Sequence, residues 1–405
     1  MKIAIISTFL GQKTSGAEIS AFLLAKNLND HHDVIVITTK ITKDMPVKTY
    51  PIKFTRFIPN LVLLIGNKMI DNYMSKEIYN ILKKEKPDII HIQDSSMMIA
   101  AITAAKKMDI PTVFTVRDYR FVCNLSMCLE RNEIRFKCDK KQYKKCLYDS
   151  FRNAYDLGSI SFLAFPWFYR QMTRLIDYFK KIDYYITVSD FIKKQIILSG
   201  ISKNKIKTIK VQKEDWNPSE KQSNNIQIFT AGGLKATKGF DFLIKAWKIV
   251  ADKYPGAKLK IAGDGSAKNK LIELTKQLRL EDNIMFLGQI DHEKMQREYA
   301  DSMFVISPSL WPEPLTRIIF EAFSMKRCVI ATDVGGSSEL VKNNKTGLLV
   351  KPKNVENMAE SIIRLIKDIR FRKLLALNAY NTINKKCNKE VNYKQHIRTY
   401  EQVIK

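Results

Sequence analysis

The chain has 405 residues, a length that predicts two domains of about 100–200 residues each. Its 45% hydrophobic content is ordinary for a globular protein, and with no run of about 18 apolar residues we expect no transmembrane helix. The net charge of +27, from 68 Lys and Arg against 41 Asp and Glu, favours anionic partners: nucleic acid, acidic lipid headgroups or phosphorylated small molecules. The alternative is a general enrichment in basic residues over the whole surface.

The first half alternates short apolar runs with helical patterns, which is typical of βαβ units with a parallel sheet. The N-terminus begins like a signal peptide. It lacks a long apolar region and a small-residue cleavage site, so we interpret it as a buried strand in a cytoplasmic protein. An amphipathic helix is predicted over 18–29, and strands over 2–7, 33–38, 88–92, 112–116 and 184–189. Residues 1–205 are predicted to form a doubly wound, Rossmann-like α/β domain.

A segment predicted as an insertion, 120–150, contains four of the six cysteines: Cys123, Cys128, Cys138 and Cys146. Their C-x4-C-x9-C-x7-C spacing does not fit the C-x2-C pairs of common zinc sites. A structural metal cluster, local disulfides and four independent thiols remain as alternatives. No other metal site is predicted.

Two features of the first half concern anionic surfaces. The run 135–145 has six basic residues and one acidic residue, and an aromatic-rich helix over 162–179 carries Arg170 and Arg174. The helix either lies on an anionic membrane or forms part of the core or of an acceptor site. Together they argue for a lipid-linked or otherwise anionic acceptor, with peripheral contact at the inner face of a membrane as a hypothesis.

The pattern is interrupted and then restarts in the second half. The stretch 212–225 is polar and aperiodic, and we predict a linker over 206–225. A second Rossmann-like domain is predicted over 226–375, followed by a C-terminal helix, 376–405, that packs back on the first domain. The predicted fold class is therefore α/β, with two doubly wound domains facing a cleft.

Glu313 and Glu321 flank the start of a helix that follows the apolar strand at 304–307. One carboxylate lies in the loop and the other about two turns along, so at ~3.6 residues per turn both can reach one cleft. A helix N-terminus offers N–H groups that suit a phosphate, and carboxylates suit sugar hydroxyls. The segment predicts a nucleotide-sugar site. The alternative is a connection with two solvated glutamates.

The order of short motifs resembles that of the retaining glycosyltransferases of family 4, which have the two-domain GT-B fold. In the second half the motifs are Gly232-Gly-Leu-Lys-Ala-Thr-Lys-Gly239, Ala262-Gly-Asp-Gly265, Phe286-Leu-Gly-Gln289, Pro308-Ser309, Glu313-x7-Glu321, Gly335-Gly336 and Gly347-Leu-Leu-Val350. In the first half they are Ser15-Gly-Ala-Glu18, Lys86-Pro-Asp-Ile-Ile-His91, and Thr115-Val-Arg-Asp-Tyr119 before the cysteine-containing insertion. Each motif is weak alone, but their joint order is specific.

The resemblance implies roles for individual residues of the second half. Glu321 would bind the ribose hydroxyls of the nucleotide, Glu313 the hydroxyls of the donor sugar, and Lys238 the diphosphate leaving group. Backbone N–H groups of the helix start, and small or polar residues of the strand-end turns, would complete the donor site: Leu315, Thr316, Arg317, Gly233, Gly265 and Gln289.

In the first half the resemblance implies that the backbone of Gly16 approaches the phosphates. Arg117 stands where the family often has a histidine that touches the donor sugar, so it would take that role or bind an anionic acceptor. Asp118 is either an acceptor-site residue or a structural cap, and Asp94 is a weaker candidate of the same kind. His91 either faces the cleft or is a satisfied strand-end histidine.

The function implied is transfer of a sugar, with retention, from a nucleoside-diphosphate sugar to an acceptor. The expected acceptor is a glycan or lipid-linked saccharide of cell-surface polysaccharide or glycoconjugate synthesis. No Asp-x-Asp triplet occurs in the chain, so a metal-independent hexosyltransferase without further cofactors is predicted. The alternatives are a nucleotide-sugar epimerase or phosphorylase of the same fold, or a non-enzymatic anion-binding protein. Nucleic acid is disfavoured because no nucleic-acid-binding motif is present.

Overall fold

The structure is a computed structural model that describes residues 1–10, 16–40, 45–52, 68–119, 144–145, 148, 161–213, 216–218 and 225–405. It divides into two compact units. Unit 1 comprises Met1–Val211 with Asn392–Lys405, and unit 2 comprises Gln212–Val391. The cysteines Cys123, Cys128, Cys138 and Cys146, and the basic run at 135–143, lie outside the described residues.

Unit 1 is built on a parallel sheet. Over the described residues its strands are β1 (Lys2–Ile6), β2 (Asp33–Thr38), β3 (Lys48–Pro51), β4 (Ile89–Ile92), β5 (Thr112–Val116), β6 (Tyr184–Thr187) and β7 (Ile206–Thr208). Its helices there are α1 (Gly16–Asn29), α2 (Lys68–Glu85), α3 (Met98–Lys106), α4 (Ser161–Phe179) and α5 (Asp190–Leu198). The strand order is β3-β2-β1-β4-β5-β6-β7. Central parallel strands are covered on both faces, which explains why Ile3, Ile5 and Ile6 of β1 are fully buried.

Unit 2 repeats this plan. Its strands are β8 (Gln227–Ala231), β9 (Lys258–Ala262), β10 (Ile284–Gly288), β11 (Val305–Ser307), β12 (Val329–Thr332) and β13 (Gly347–Val350), in the parallel order β10-β9-β8-β11-β12-β13. Its helices are α6 (Phe240–Lys253), α7 (Lys268–Gln277), α8 (His292–Asp301), α9 (Arg317–Ser324), α10 (Ser337–Leu340), α11 (Val355–Lys367) and α12 (Ile369–Cys387). Two parallel-sheet α/β units confirm the predicted fold class.

In both sheets the order of the strands along the sheet reverses at one point. In unit 1 the strand order runs outward in opposite directions from β1 and β4, and in unit 2 from β8 and β11. At such a switch point the loops after the two strands leave toward opposite faces of the sheet, which opens a crevice beyond their carboxyl ends. Ligands of doubly wound sheets bind in that crevice, so the topology marks one candidate region in each unit.

The predicted segment boundaries differ from the structure in two places. Ile206–Thr208, predicted as the start of the linker, forms β7 and pairs with β6. Trp216, also predicted in the linker, belongs to unit 2 and is 8% exposed because it packs against Tyr299 there. The predicted C-terminal helix is two helices, α12 and α13 (Lys389–Ile404). They are separated at Asn388, whose side-chain carbonyl accepts a bond from the backbone N–H of Val391 at 2.7 Å. Polar residues that cap a helix in this way start a new helix.

The aromatic-rich helix predicted over 162–179 is α4. Phe165 and Phe179 are buried, and Phe179 packs edge-on against Phe114 of β5 with ring centroids 5.8 Å apart. Arg174 pairs with the buried Asp71 of α2 at 2.7 Å. These contacts favour the interpretation of α4 as a core helix. Among the described residues, no helix is long and apolar enough to cross a membrane.

Candidate functional site

The loops at the carboxyl edge of the unit 2 sheet are tied together by backbone contacts. The N–H of Leu234, after β8, donates to the carbonyl of Asp264, after β9, at 2.9 Å. The N–H of Gly263 donates to the carbonyl of Gly288, at the end of β10, at 2.7 Å. A side chain at Gly265 would overlap the backbone of Leu234, so this glycine is required by the close approach of two loops. The loops after β8, β9 and β10 are therefore held against one another by their backbones.

Lys238 and Glu313 form an ion pair across the switch point of unit 2. Lys238 ends the short helical turn Ala236–Lys238 after β8, and Glu313 lies in the loop after β11. The Lys238 Nζ is 2.8 Å from the Glu313 Oε1, and the two side chains are 27% and 12% exposed. A cation and a carboxylate from the loops after β8 and β11 therefore meet at the switch point.

The backbone brings these two loops together. The N–H groups of Leu310 and Trp311 both donate to the carbonyl of Thr237, at 3.0 and 3.1 Å. The next turn residue, Gly239, has a φ of +68°, and a Cβ there would overlap the carbonyl oxygen of Pro308. Only glycine permits both the left-handed backbone and this contact.

The Gly335-Gly336 pair after β12 fixes Glu313 from the other side. The Gly336 N–H donates to the Glu313 carbonyl at 2.8 Å, and a Cβ on Gly335, which has a φ of +60°, would overlap the same backbone. Backbone contacts with two neighbouring strand-end loops thus set the position of the loop that carries Glu313.

Glu321 lies in α9, one turn after its first residue, and its carboxylate is held by two donors. The Tyr299 hydroxyl of α8 donates to Oε2 at 2.6 Å, and the Arg317 Nε donates to Oε1 at 3.4 Å. Glu321 retains 14% side-chain exposure. Tyr299 is fully buried, and its burial, together with the adjacent carboxylate, raises its pKa well above the usual value, so it remains a donor.

Sequence reasoning did not identify Tyr299. It is 22 residues from Glu321, and it has no motif of its own. Only the packing of α8 against the sheet brings the two together. The other predicted donor-site residues of unit 2 lie on the same edge. Thr316 is the N-cap of α9, and Gln289 and Gly233 are exposed after β10 and β8.

Unit 1 has a cavity of about 220 Å³ at its own switch point. The cavity is lined by residues that follow β1, β4 and β5, and by the start of α1: Ser7, Thr8, Phe9, Ala17, Glu18, Gln93, Asp94, Ser95, Ser96, Phe114, Thr115, Arg117 and Asp118. The predicted residues Arg117 and Asp118 thus share one cavity. A guanidinium N–H of Arg117 donates to the carbonyl of Gln93 at 3.0 Å. Gly16 is the first residue of α1.

Two other predicted candidates in unit 1 have structural partners. The Asp94 carboxylate accepts bonds from the Thr8 N–H at 2.5 Å and from the hydroxyls of Ser7 and Thr8 at 2.9 and 2.8 Å, so it ties β4 to β1. His91 is fully buried, with its ring nitrogens 2.7 Å from the hydroxyls of Tyr400 and Thr115. Of the two alternatives for His91, the structure therefore favours the strand-end histidine whose two ring nitrogens both have hydrogen-bond partners. Within the described part of the chain, no cluster of three or more metal-ligand side chains occurs.

Comparison with known families assigns both halves of the chain. Residues 14–210 match the family model Glycosyltransferase Family 4, and residues 211–382 match the family model Glycosyl transferases group 1. The boundary between the two matches, at 210/211, lies one residue from the junction of the two structural units at Val211/Gln212. Each of the two units therefore resembles one domain of a glycosyltransferase.

Individual proteins agree with this assignment. An uncharacterized glycosyltransferase of Methanocaldococcus jannaschii is 29% identical over 180 residues, which are 44% of this chain and 46% of that protein. An uncharacterized 42.6 kDa protein from the cps region of Klebsiella pneumoniae is 25% identical over 84% of this chain and 87% of its own length. The matches cover 46%, 58% and 40% of the length of three curated relatives, the first of them this Methanocaldococcus jannaschii protein, so the chain spans about half their length.

Among solved structures, Anabaena Alr3699/HepE in complex with UDP-glucose superposes with a TM-score of 0.73 at 18% identity, over 99% of this chain and 100% of that one. This similarity supports the GT-B fold.

Proposed function

We propose that this chain, with its two glycosyltransferase domains, transfers a sugar from a nucleoside-diphosphate sugar to an acceptor with retention of anomeric configuration. The observation that carries the proposal is the Lys238–Glu313 pair at the switch point of unit 2, 2.8 Å apart. The pair supplies a cation for a leaving diphosphate and a carboxylate for sugar hydroxyls at one place.

The leaving group is the main electrostatic demand of the reaction. Glycosyl transfer expels a nucleoside diphosphate while positive charge develops at the anomeric carbon. On binding, the diphosphate takes the place of Glu313 as the partner of Lys238, and Glu313 turns to the hydroxyls of the sugar. The N-terminus of α9 adds backbone N–H groups and the positive end of the helix dipole. Lys238 and Arg317 are the side chains to which we assign the charge stabilisation.

Glu321 is assigned to the ribose. A carboxylate accepts about four hydrogen bonds, and two of those positions are taken by Tyr299 and Arg317. The others suit a vicinal diol. The turns containing Gly233, Gly265 and Gln289 are assigned to the base and the phosphates.

The cavity of unit 1 is assigned to the acceptor. Arg117 brings a guanidinium and Asp118 a carboxylate to its wall. In this role Arg117 binds an anionic group of a glycan or lipid-linked acceptor, and Asp118 orients or deprotonates the attacking hydroxyl. The relative from a cps region supports an acceptor of surface-polysaccharide synthesis.

For the donor we propose a UDP-hexose, since one of the similar solved structures is a complex with UDP-glucose. We propose no metal in the reaction, because the sequence has no Asp-x-Asp triplet and Lys238 provides a cation where the diphosphate leaves. We also propose a cytoplasmic location with peripheral contact at the inner face of a membrane, and the net charge of +27 supports the contact with anionic lipid. Co-sedimentation with liposomes containing phosphatidylglycerol, reversed by salt, tests the contact; equal binding to neutral liposomes would contradict it.

The function is tested by following UDP-hexoses with the purified protein by proton NMR. UDP release with a short oligosaccharide acceptor, and a product with the donor's anomeric configuration, are expected. An inverted product would reject retention, and an isomerised UDP-sugar would indicate an epimerase. Phosphate-dependent cleavage of a glycan would indicate a phosphorylase. Binding of anions without turnover on any UDP-, GDP- or ADP-sugar would leave the non-enzymatic alternative.

A further inference from the structure

The hydroxyl group of Tyr299 that donates to Glu321 lies in the interior of unit 2. Tyr299 has no solvent exposure, and its hydroxyl donates to Oε2 at 2.6 Å. A short bond to a charged acceptor in a low-dielectric interior is stronger than a neutral one in water. It also restricts rotation of the carboxyl group about the last side-chain torsion, which is otherwise broad.

The tyrosine is itself fixed on two sides. Its ring meets Phe229 of β8 edge-on, with centroids 5.0 Å apart, and meets Trp216 at 5.6 Å. The Trp216 indole N–H donates in turn to His292 Nε2, at the start of α8, at 2.9 Å. Aromatic contacts of this kind restrict the ring without adding a second polar partner. The phenol hydroxyl therefore has a defined position relative to α9.

The second donor to Glu321 is longer. Arg317 Nε lies 3.4 Å from Oε1, and both side chains belong to one helix, four residues apart. A contact of this length between side chains four residues apart on one helix is weak. Tyr299 is the shorter and fully buried contact, so it dominates the orientation of the carboxylate.

We infer that Tyr299 is a positioning residue that sets the Glu321 carboxylate to accept both hydroxyls of a ribose, and so makes the site select ribonucleotides over deoxyribonucleotides. With Tyr299 on Oε2 and Arg317 on Oε1, each oxygen keeps one acceptor position for a diol hydroxyl. If the carboxyl group rotates, one of the two diol bonds is lost. This inference rests on the proposed function and adds the residue that creates the selectivity.

The test compares UDP with 2′,3′-dideoxy-UDP by calorimetry on the full chain. Wild type is expected to prefer UDP, and Tyr299→Phe, which keeps the ring and removes the hydroxyl, is expected to lose about tenfold of that preference. Binding of the dideoxy analogue should change less than twofold. In turnover assays KM for the donor should rise about tenfold with little change in kcat. A merely structural role would weaken both ligands alike.

Two further variants separate position from stability. Tyr185→Phe is the matched control, since Tyr185 is also fully buried and its hydroxyl donates to the Phe179 carbonyl in unit 1 at 2.5 Å. It should lose stability but keep the UDP preference. In a Glu321→Gln background, Tyr299→Phe should have no further effect on the preference, because the hydroxyl acts through Glu321.

Each outcome decides a different claim. If wild type prefers UDP and Glu321→Gln abolishes the preference, but Tyr299→Phe retains it, the inference is wrong and the proposed function stands. If wild type binds no UDP, GDP or ADP, the proposed function fails and the inference with it. If Tyr299→Phe does not fold, Trp216→Phe decides, since it loosens the packing of the tyrosine. A reduced UDP preference then supports the inference and an unchanged preference overturns it.

Discussion

The Lys238 Nζ lies 2.8 Å from the Glu313 Oε1. The two residues lie in the loops after β8 and β11, the adjacent strands at which the strand order of the unit 2 sheet reverses. The pair is only partly buried, so both groups remain accessible to a ligand. Each of the two groups neutralises the other. A carboxylate placed alone beside an incoming diphosphate would repel it, and Lys238 removes that repulsion.

The first prediction concerns the coupling of this pair. Lys238→Ala should lower kcat/KM by about 100- to 1000-fold, the range measured for the loss of one group that stabilises developing negative charge. The Lys238→Ala, Glu313→Gln double variant should be less impaired than the product of the single effects, because the two side chains act as a unit. Lys248→Ala is the control, since Lys248 pairs with Asp252 on an exposed helix surface. If the double variant shows the product of the two single effects, the two side chains act independently, which would contradict the prediction.

The second prediction separates the two glutamates. Glu313→Gln should lower kcat more than it weakens nucleotide binding, because the carboxylate is assigned to the sugar that reacts. Glu321→Ala should weaken UDP binding by about tenfold or more and change kcat less, because the ribose does not react. Calorimetry with UDP and steady-state kinetics measure both. Wild-type kinetics in both variants would reject the site assignment.

The third prediction concerns the glycine that permits the two loops to meet. Gly239→Ala places a Cβ against the Pro308 carbonyl at a φ of +68°, so the loop that bears Lys238 must move. We expect a loss of about 1–3 kcal/mol of stability and at least a tenfold loss of activity. Gly256→Ala, where a Cβ meets nothing within 4 Å, is the control and should behave as wild type. Equal activity of both variants would show that the loop position does not matter.

The fourth prediction is acid destabilisation of unit 1. Burial lowers the pKa of His396 to about 4 and that of His91 well below its ordinary value of 6.5. Between about pH 6.5 and 4 the unfolded chain binds protons that the folded chain excludes, so the free energy of unfolding falls as the pH falls through this window. Burial raises the pKa of Asp71 to about 6, so protonation of this carboxyl stabilises the folded chain as the pH falls. Asp71 is one group, and the two histidines outweigh it. Urea unfolding at pH 7 and pH 5 should show the fall, and His396→Gln should make it shallower. An unchanged slope in that variant would contradict the assignment.

The fifth prediction is that activity persists in excess EDTA. Lys238 and the N-terminus of α9 supply the positive charge for the leaving diphosphate, so a chelator should change kcat/KM less than about twofold. Activity lost on chelation and restored by manganese would contradict a metal-independent reaction.

Much of the fold was predictable because parallel strands buried on both faces leave continuous apolar runs in the sequence. Residues 33–38 are an example, predicted as a strand and found as β2. The boundaries were less predictable. The polar three-residue strand β7 has no apolar run of its own and forms by pairing with β6. The break at Asn388 interrupts a helical pattern at one capping residue.

The candidate site was predictable where its residues lie in local motifs, as Lys238 and Glu313 do. Their pairing is not local, since it depends on the adjacency of β8 and β11, which are separated in the chain by two strands and three helices. Tyr299 is the residue that sequence reasoning could not find. Its hydroxyl reaches Glu321 only through the packing of α8 and α9 on the sheet.

The most direct test of the account is a crystal structure of the protein with UDP. We predict that the terminal phosphate lies within about 3 Å of Lys238 Nζ and replaces Glu313 as its partner, with both ribose hydroxyls on the Glu321 carboxylate. UDP bound elsewhere, with the Lys238–Glu313 pair intact and no ligand at Glu321, would contradict the central claim.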